Sequence, residues 1–171
     1  MISGSKPHLW LKRIIAYFFT LLVMSSIFYF SAQPATKSAK TSSGITKKIV
    51  NAVTKNKKIP PKKKKALEQK WEKIIRKIAH FSLFAILGIC ALISANLTFI
   101  KRGNHFIQKN ALISLAFCIL YAISDEVHQS FVKGRSCEFT DVLIDSSGSI
   151  FGILVIIFII YLIKRKTEKL N

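Results

Sequence analysis

Four long apolar runs, separated by polar and basic segments, set the pattern of this chain. They cover residues 14–30, 78–100, 111–131 and 141–163. A helix crosses the hydrocarbon core of a bilayer with roughly 20 apolar residues, so the first run is near the lower limit and the other three are long enough. The pattern predicts an all-α membrane protein whose four transmembrane helices form a compact bundle.

The segment between the first two spans, residues 31–77, is polar and carries 15 of the 27 Lys and Arg residues. Apolar residues recur in it at helical spacing on both sides of Pro60-Pro61, over residues 45–53 and 67–78. This pattern is typical of basic amphipathic helices that lie on a membrane surface. A solvated, partly disordered Lys-rich loop is the alternative.

The membrane domain then extends over residues 14–163, between basic tails at 1–13 and 164–171. A cleavable signal peptide is the alternative to the first span, because small residues follow it from Ser31 to Ala35. The Phe30-Ser31-Ala32 sequence is a poor cleavage site, however, and Pro34 lies close to it. We therefore expect a retained first helix.

Composition excludes most soluble classes. Half of the residues are apolar, yet the formal net charge is +19, and these values rarely coexist in a soluble domain. The basic residues flank apolar spans, which favours attraction to anionic lipid, at about 1 kcal/mol per residue, over nucleic acid as a partner. The three cysteines form neither a disulfide framework nor a metal-binding pair.

Chain order brings a polar cluster to one membrane face. Five of the eight acidic residues lie between Asp125 and Asp145. In four antiparallel spans, the start of the second, the end of the third and the start of the fourth share a side. Charged groups facing lipid are costly, so we expect the cluster to turn inward. Its members are Arg76, His80, Asp125, Glu126, Gln129, Arg135, Asp141 and Asp145.

The cluster admits four roles. It can be a purely structural ion-pair cap. It can bind an anionic lipid head group, with Arg135 presenting its fork to a carboxylate or a ligand phosphate. The ligand-binding residues are then Arg76, Gln129, Arg135, Asp141 and Asp145. It can perform acid–base chemistry through Asp125, Glu126 and His80, which leaves open whether the protein is an enzyme.

A divalent metal is the fourth role. Its ligands would be the oxygen-rich set Asp125, Glu126, Asp141 and Asp145. We expect no metal and no cofactor, because Arg135 can neutralise these acids without one. A proton- or ion-coupled transporter fits less well, since the charges lie at one end of the predicted bundle. His128, one residue off the Asp125/Gln129 face, is predicted to point to the interface.

The order Asp-Glu-x-x-Gln-x-Phe-x-x-Gly-Arg, followed by Asp-x-x-x-Asp-x-x-Gly-x-x-x-Gly, resembles the VanZ-like family. The resemblance covers roughly residues 14–160 and is densest at 125–152. The basic residue and His at the start of the preceding span also resemble it, as does the segment 31–35. Many relatives are expected to carry Asn where this chain has Asp145. The Gly148 and Gly152 step predicts close helix packing.

The resemblance implies a small multi-pass membrane protein linked to teicoplanin resistance in Gram-positive bacteria, without fixing a mechanism. We therefore expect binding of an anionic cell-envelope lipid or lipid-linked precursor, or turnover of a lipid phosphate by a membrane-embedded hydrolase or transferase. Short basic segments at 1–13, 101–109 and 164–171 favour cytoplasmic termini in the plasma membrane. The polar cluster would then face outward.

Overall fold

The computed structural model describes residues 7–54, 60–99 and 104–168, which form five α-helices and no strand. Four of these helices are long and apolar enough to cross a membrane. The predicted class, an all-α membrane protein with four spans, is confirmed. The helices are α1 (Pro7–Ser31), α2 (Ala35–Thr54), α3 (Pro61–Thr98), α4 (Asn104–Ser130) and α5 (Phe139–Glu168).

The two basic amphipathic stretches between the first two spans belong to different kinds of helix. The first is α2, which packs on α3 and buries Thr46 and Val50 while Ile45 and Val53 are exposed. The second is continuous with the following span, because α3 runs for 38 residues from Pro61. Pro at the first helical position is compatible with a helix, and no further Pro interrupts α3. The predicted span begins at residue 78, but the helix that contains it already begins at Pro61 and passes residue 78 without a break.

Helix α3 is the centre of the bundle and packs against all four other helices. The buried apolar core combines Ile27 of α1, Phe84 and Leu87 of α3, and Cys118 and Ala122 of α4. The outward faces carry large apolar side chains that are mostly exposed in the isolated chain. Such faces are stable against lipid tails, as a membrane bundle requires.

Helices α3 and α5 touch backbone to backbone. A Cβ atom built on Gly148 would lie 2.3 Å from the Phe81 carbonyl oxygen, and one on Gly152 would lie 1.9 Å from the Ala85 carbonyl oxygen. Gly88 of α3 is equally close to α5. The small-residue step therefore lies in the α3–α5 interface, where only glycine leaves room for the opposing backbone.

Polar contacts fix the antiparallel register of α1 on α3. At the membrane face opposite the predicted cluster, Arg13 Nε donates a hydrogen bond to the Leu97 carbonyl at 2.8 Å, and Tyr17 bonds to Thr98. Chain order thus places the α1 C-terminus, the α4 C-terminus and the α5 N-terminus at one end of the bundle, with residues 76–80 of α3.

Replacing Gly152 by Ala should destabilise the bundle by about 1–3 kcal/mol, because the added methyl group overlaps the Ala85 carbonyl and α3 and α5 must separate. Thermal unfolding of the purified protein in detergent micelles measures the loss. Gly44→Ala on the exposed face of α2 is the matched control, since a Cβ there meets nothing within 4 Å. That control should be neutral or stabilising. Equal melting temperatures for the two variants would contradict the proposed contact.

Candidate functional site

A polar cleft of about 190 Å³ opens at the end of the bundle where α5 begins. Its walls come from α3, the end of α4, the 131–138 loop and the start of α5. The cleft brings together His80 and all five residues predicted to bind a ligand, Arg76, Gln129, Arg135, Asp141 and Asp145. Asp125 and Glu126 do not line it and lie behind Gln129 on α4.

Asp125 is buried in a partly completed hydrogen-bond network. Its side chain is 3 % exposed. One oxygen, Oδ2, accepts hydrogen bonds from the Ser31 hydroxyl at 2.7 Å and from Gln129 Nε2 at 2.8 Å. The other, Oδ1, is buried and has no hydrogen-bond partner among the described residues. A buried carboxylate with one free oxygen is unusual enough to require an explanation.

His80 and Asp145 face each other across the α3–α5 contact. His80 Nδ1 lies 3.8 Å from Asp145 Oδ2, and Asp145 is 2 % exposed. His80, Asp145 and Asp125 each offer one atom that could bind a metal ion. These three atoms lie within 4.8 Å of one another. Three different helices thus place an imidazole and two carboxylates at one point.

Arg135 forms no ion pair with any carboxylate in the part of the chain that the structure describes. Its Nε donates to the Gln33 carbonyl and its Nη2 to the Phe30 carbonyl, both at 3.0 Å, and Nη1 donates to Gln129 Oε1 at 2.7 Å. The guanidinium therefore bonds carbonyls at and just beyond the end of α1, where intrahelical partners run out; the Phe30 carbonyl also accepts the Gln33 N–H at 3.4 Å. Burial lowers the pKa of Arg135, and the nearby positive charge of Arg76 adds to this effect. Arg135 thus offsets the acids only through its charge, which acts on Asp125, Glu126 and Asp141.

The 131–138 loop is docked on the segment that follows α1. Gly134 has φ +79°, a conformation that other residues adopt only with strain, and its backbone lies against Ala35. The Ala35 N–H also donates to the Lys133 carbonyl at 3.4 Å. The segments 31–35 and 131–138 therefore pack against each other. Ser31, at the start of the first segment, bonds Asp125 of α4, a contact that was not predicted from the sequence. The only signal for it was the family-like position of residues 31–35.

Glu126 holds the start of α5. It is 2 % exposed, and its Oε1 accepts a hydrogen bond from the Glu138 backbone N–H at 2.8 Å. The N-terminus of a helix carries partial positive charge, which stabilises a carboxylate placed there. Of the three residues proposed for catalysis, Asp125 and His80 share a point with Asp145, whereas Glu126 faces the helix end.

Lys77 pairs with the acids at the mouth of the cleft. Its ammonium group forms an ion pair with Asp141 and lies 3.6 Å from Glu138. The pKa of Glu138 is held below its usual range, first by the hydrogen bond from Ser136 and then by the charge of Lys77. The sequence pattern did not single out Lys77, so its pairing with Asp141 was not predicted.

Comparison with known families decides the assignment. The family model described as VanZ/LLP1 matches residues 16–162. This chain belongs to the VanZ/LLP1 family. The resemblance inferred from the motifs is thereby confirmed. No curated protein and no solved structure matches the chain at a significant level.

Two cations of this VanZ/LLP1 family member form no ion pair with an acid of the described residues, although the charge of Lys73 contributes at a distance to the lowered pKa of Glu138. Arg76 and Lys73 both line the cleft, and neither makes a hydrogen bond or ion pair with any residue in the described ranges. The neighbouring His128, by contrast, is outside the cleft lining and stacks on Phe28 with ring centroids 4.3 Å apart. Arg76 and Lys73 are therefore the cleft cations with the most unused hydrogen-bonding capacity.

Arg135→Lys should destabilise this family member by about 2 kcal/mol, because an ammonium group cannot reach the Phe30, Gln33 and Gln129 oxygens together. Arg76→Lys is the matched control and should unfold like wild type, since Arg76 makes no such bonds. Chemical or thermal unfolding in micelles compares the two variants. Similar losses from both would show that Arg135 has no special structural role.

Proposed function

We propose that this membrane protein binds the phosphate-bearing head group of an anionic lipid, or of a lipid-linked envelope precursor, in the polar cleft. By doing so it would alter susceptibility to glycopeptides of the teicoplanin type. The observation that carries the proposal is the unpaired state of Arg76 and Lys73 beside the anchored Arg135. Cations that lack a carboxylate partner are available to a ligand anion.

The charges of the cleft favour a phosphate near its mouth. Lys73 is exposed, and Arg76 and His80 are both partly buried, so basic side chains follow one another along α3 from solvent into the cleft. A guanidinium fork binds two phosphate oxygens at once, and such charge-assisted pairs are stronger than neutral hydrogen bonds. Lys77 is less available, because Asp141 and Glu138 already neutralise it.

An apolar groove beside the cleft supports an amphiphilic ligand over a soluble anion. This groove, of about 350 Å³, shares Arg76, His80 and Arg135 with the cleft. Its remaining wall is largely apolar and comes from α1, α2 and α3. A lipid whose head group occupies the cleft can lay its chain in this groove. The apolar wall includes Phe30, Ile45, Ile75, Ala79 and Leu83.

A second candidate is a membrane-embedded hydrolase or transferase that acts on a lipid phosphate. It is favoured by the meeting of His80, Asp125 and Asp145, since an imidazole beside carboxylates can hold and transfer protons. Glu126 is less suited to this role, because one of its oxygens already bonds the start of α5.

A purely structural cap is the remaining alternative. It would explain the contacts of Arg135 and Glu126 but gives no role to Arg76.

For localisation we propose the plasma membrane, with cytoplasmic termini and the cleft facing outward. Short basic segments next to spans are typical of the cytoplasmic side, whereas long basic segments count less. Residues 101–109 and 164–171 are short and basic, and 31–77 is long. An outward cleft would face the lipids and precursors on which cell-wall antibiotics act.

Cysteine labelling tests the orientation, because Cys137 is exposed in the cleft loop. In a Cys90→Ala, Cys118→Ala background, a membrane-impermeant maleimide should label Cys137 in intact cells. A Lys166→Cys variant that also carries Cys137→Ser should label only after lysis. The reverse pattern would place the cleft in the cytoplasm and refute the outward orientation.

Arg76→Gln should weaken binding of dioleoyl phosphatidic acid about tenfold or more, the loss expected for one charge-assisted phosphate contact. Native mass spectrometry of the detergent-solubilised protein measures retained lipid, with dioleoyl phosphatidylcholine as the comparison lipid. Lys164→Gln, on the exposed tail at the other end of α5, is the control and should bind as wild type does.

The same pair of variants separates the head-group proposal from its phenotype. In a teicoplanin-susceptible Gram-positive host, wild type and Lys164→Gln should raise the inhibitory concentration, and Arg76→Gln should not, at equal membrane abundance. Unchanged phosphatidic acid binding in Arg76→Gln would refute the assigned contact. Normal resistance despite lost binding would detach the lipid site from glycopeptide susceptibility.

A further inference from the structure

We infer that His80, Asp125 and Asp145 form a binding site for one divalent first-row transition-metal ion such as Mn²⁺ or Zn²⁺. This site goes beyond head-group binding, because it joins two cleft-lining residues, His80 and Asp145, to Asp125 outside the lining and involves neither Arg76 nor Lys73. One ligating atom from each residue already lies within 4.8 Å of the other two. Ligands bonded at about 2.1 Å lie about 3–4 Å apart, a spacing within reach of side-chain rotation.

The hydrogen bonds around Asp125 are those of an oriented metal ligand. Ser31 and Gln129 both donate to Oδ2, which leaves Oδ1 buried and unpartnered. Gln129 is held in turn by Arg135 through its Oε1. Ligating carboxylates are commonly fixed by such outer hydrogen bonds, which set the direction of the free oxygen. Asp125 is 3 % exposed, and its Oδ1 has no hydrogen-bond partner within the described parts of the chain. This observation is independent of the spacing of the three residues.

Charge balance also calls for a cation at this point. Asp125 and Asp145 are 3 % and 2 % exposed, and no Lys or Arg of the described ranges forms an ion pair with either. Buried carboxylates are normally paired or coordinate a metal, because an uncompensated buried charge is strongly unfavourable. Arg135, the cation expected from sequence to neutralise the acids, is bonded to carbonyl and amide oxygens and acts on Asp125 only through its charge, and His80 can pair with Asp145 but not with both acids. A dication would balance the two carboxylates.

The donor set narrows the choice of metal. An imidazole nitrogen suits transition metals, whereas carboxylates alone suit Mg²⁺ and Ca²⁺. Three protein ligands also leave a coordination position open. His80 and Asp145 line the cleft, so that position faces the space assigned above to the head group. If the proposed function holds, a phosphate oxygen of the ligand can occupy it.

Calorimetry on the full-length protein with metal alone tests the site. Protein purified in detergent is stripped with EDTA, exchanged into metal-free buffer and titrated separately with MnCl₂ and ZnCl₂, without added lipid. We expect one ion per chain for at least one of the two metals. Asp125→Asn and Asp145→Asn should each weaken binding at least 100-fold. Because no lipid is present, the result is independent of the head-group proposal.

Three further variants make the test decisive. Glu138→Gln removes a cleft acid that pairs with Lys77 outside the triad, and it should bind metal as wild type does. Cys137→Ser removes an exposed thiol that could hold Zn²⁺ adventitiously, and it should also be unchanged. Ser31→Ala keeps all three ligands and should weaken binding about 10- to 100-fold, even if the Asn variants fail to fold. Absence of binding by either metal, or binding that survives in Asp125→Asn, Asp145→Asn and Ser31→Ala, would overturn the inference.

Discussion

The close contact of α3 with α5 is the constraint on which the rest of the structure depends. Gly148 rests on the carbonyl of Phe81, the residue next to His80, and lies three residues from Asp145. The backbone packing of α3 on α5 therefore limits how closely His80 and Asp145 approach each other. Any side chain larger than hydrogen at Gly148 or Gly152 would push the imidazole and the carboxylate apart. The glycine step and the polar site are thus parts of one arrangement.

A second set of contacts ties the remaining helices to that pair. Ser31 at the end of α1 bonds Asp125 of α4, and Arg135 joins the α1 carbonyls to Gln129. Glu126 holds the first turn of α5. These residues stabilise the frame, while Arg76 and Lys73 form no hydrogen bond or ion pair within the described ranges. The division between framework residues and unused cations is what supports a binding role over a purely structural cap.

Much of the fold and of the site could be predicted from the sequence, because hydropathy and the order of the spans determine them. Span number follows from hydropathy, and the meeting of Arg76, His80, Asp125 and Asp145 at one end follows from chain order alone. The partners of Arg135 could not be predicted, since the Phe30 and Gln33 carbonyls become available only where α1 stops. Ser31 carries no charge or periodic signal. The continuity of α3 could not be predicted, because hydropathy shows which residues prefer lipid to water and does not show where a helix begins or ends.

That continuity has a consequence for where the cleft lies in the bilayer. At 1.5 Å per residue, the 38 residues of α3 span about 57 Å, roughly twice the hydrocarbon thickness. The helix is thus a single rod whose basic first half emerges from the hydrocarbon together with Arg76. A bilayer of different thickness must tilt or slide this rod, and it then raises or lowers the cleft relative to the phosphate layer. Lipid chain length, and not head-group chemistry alone, would set which membranes present their phosphates at the height of this cleft.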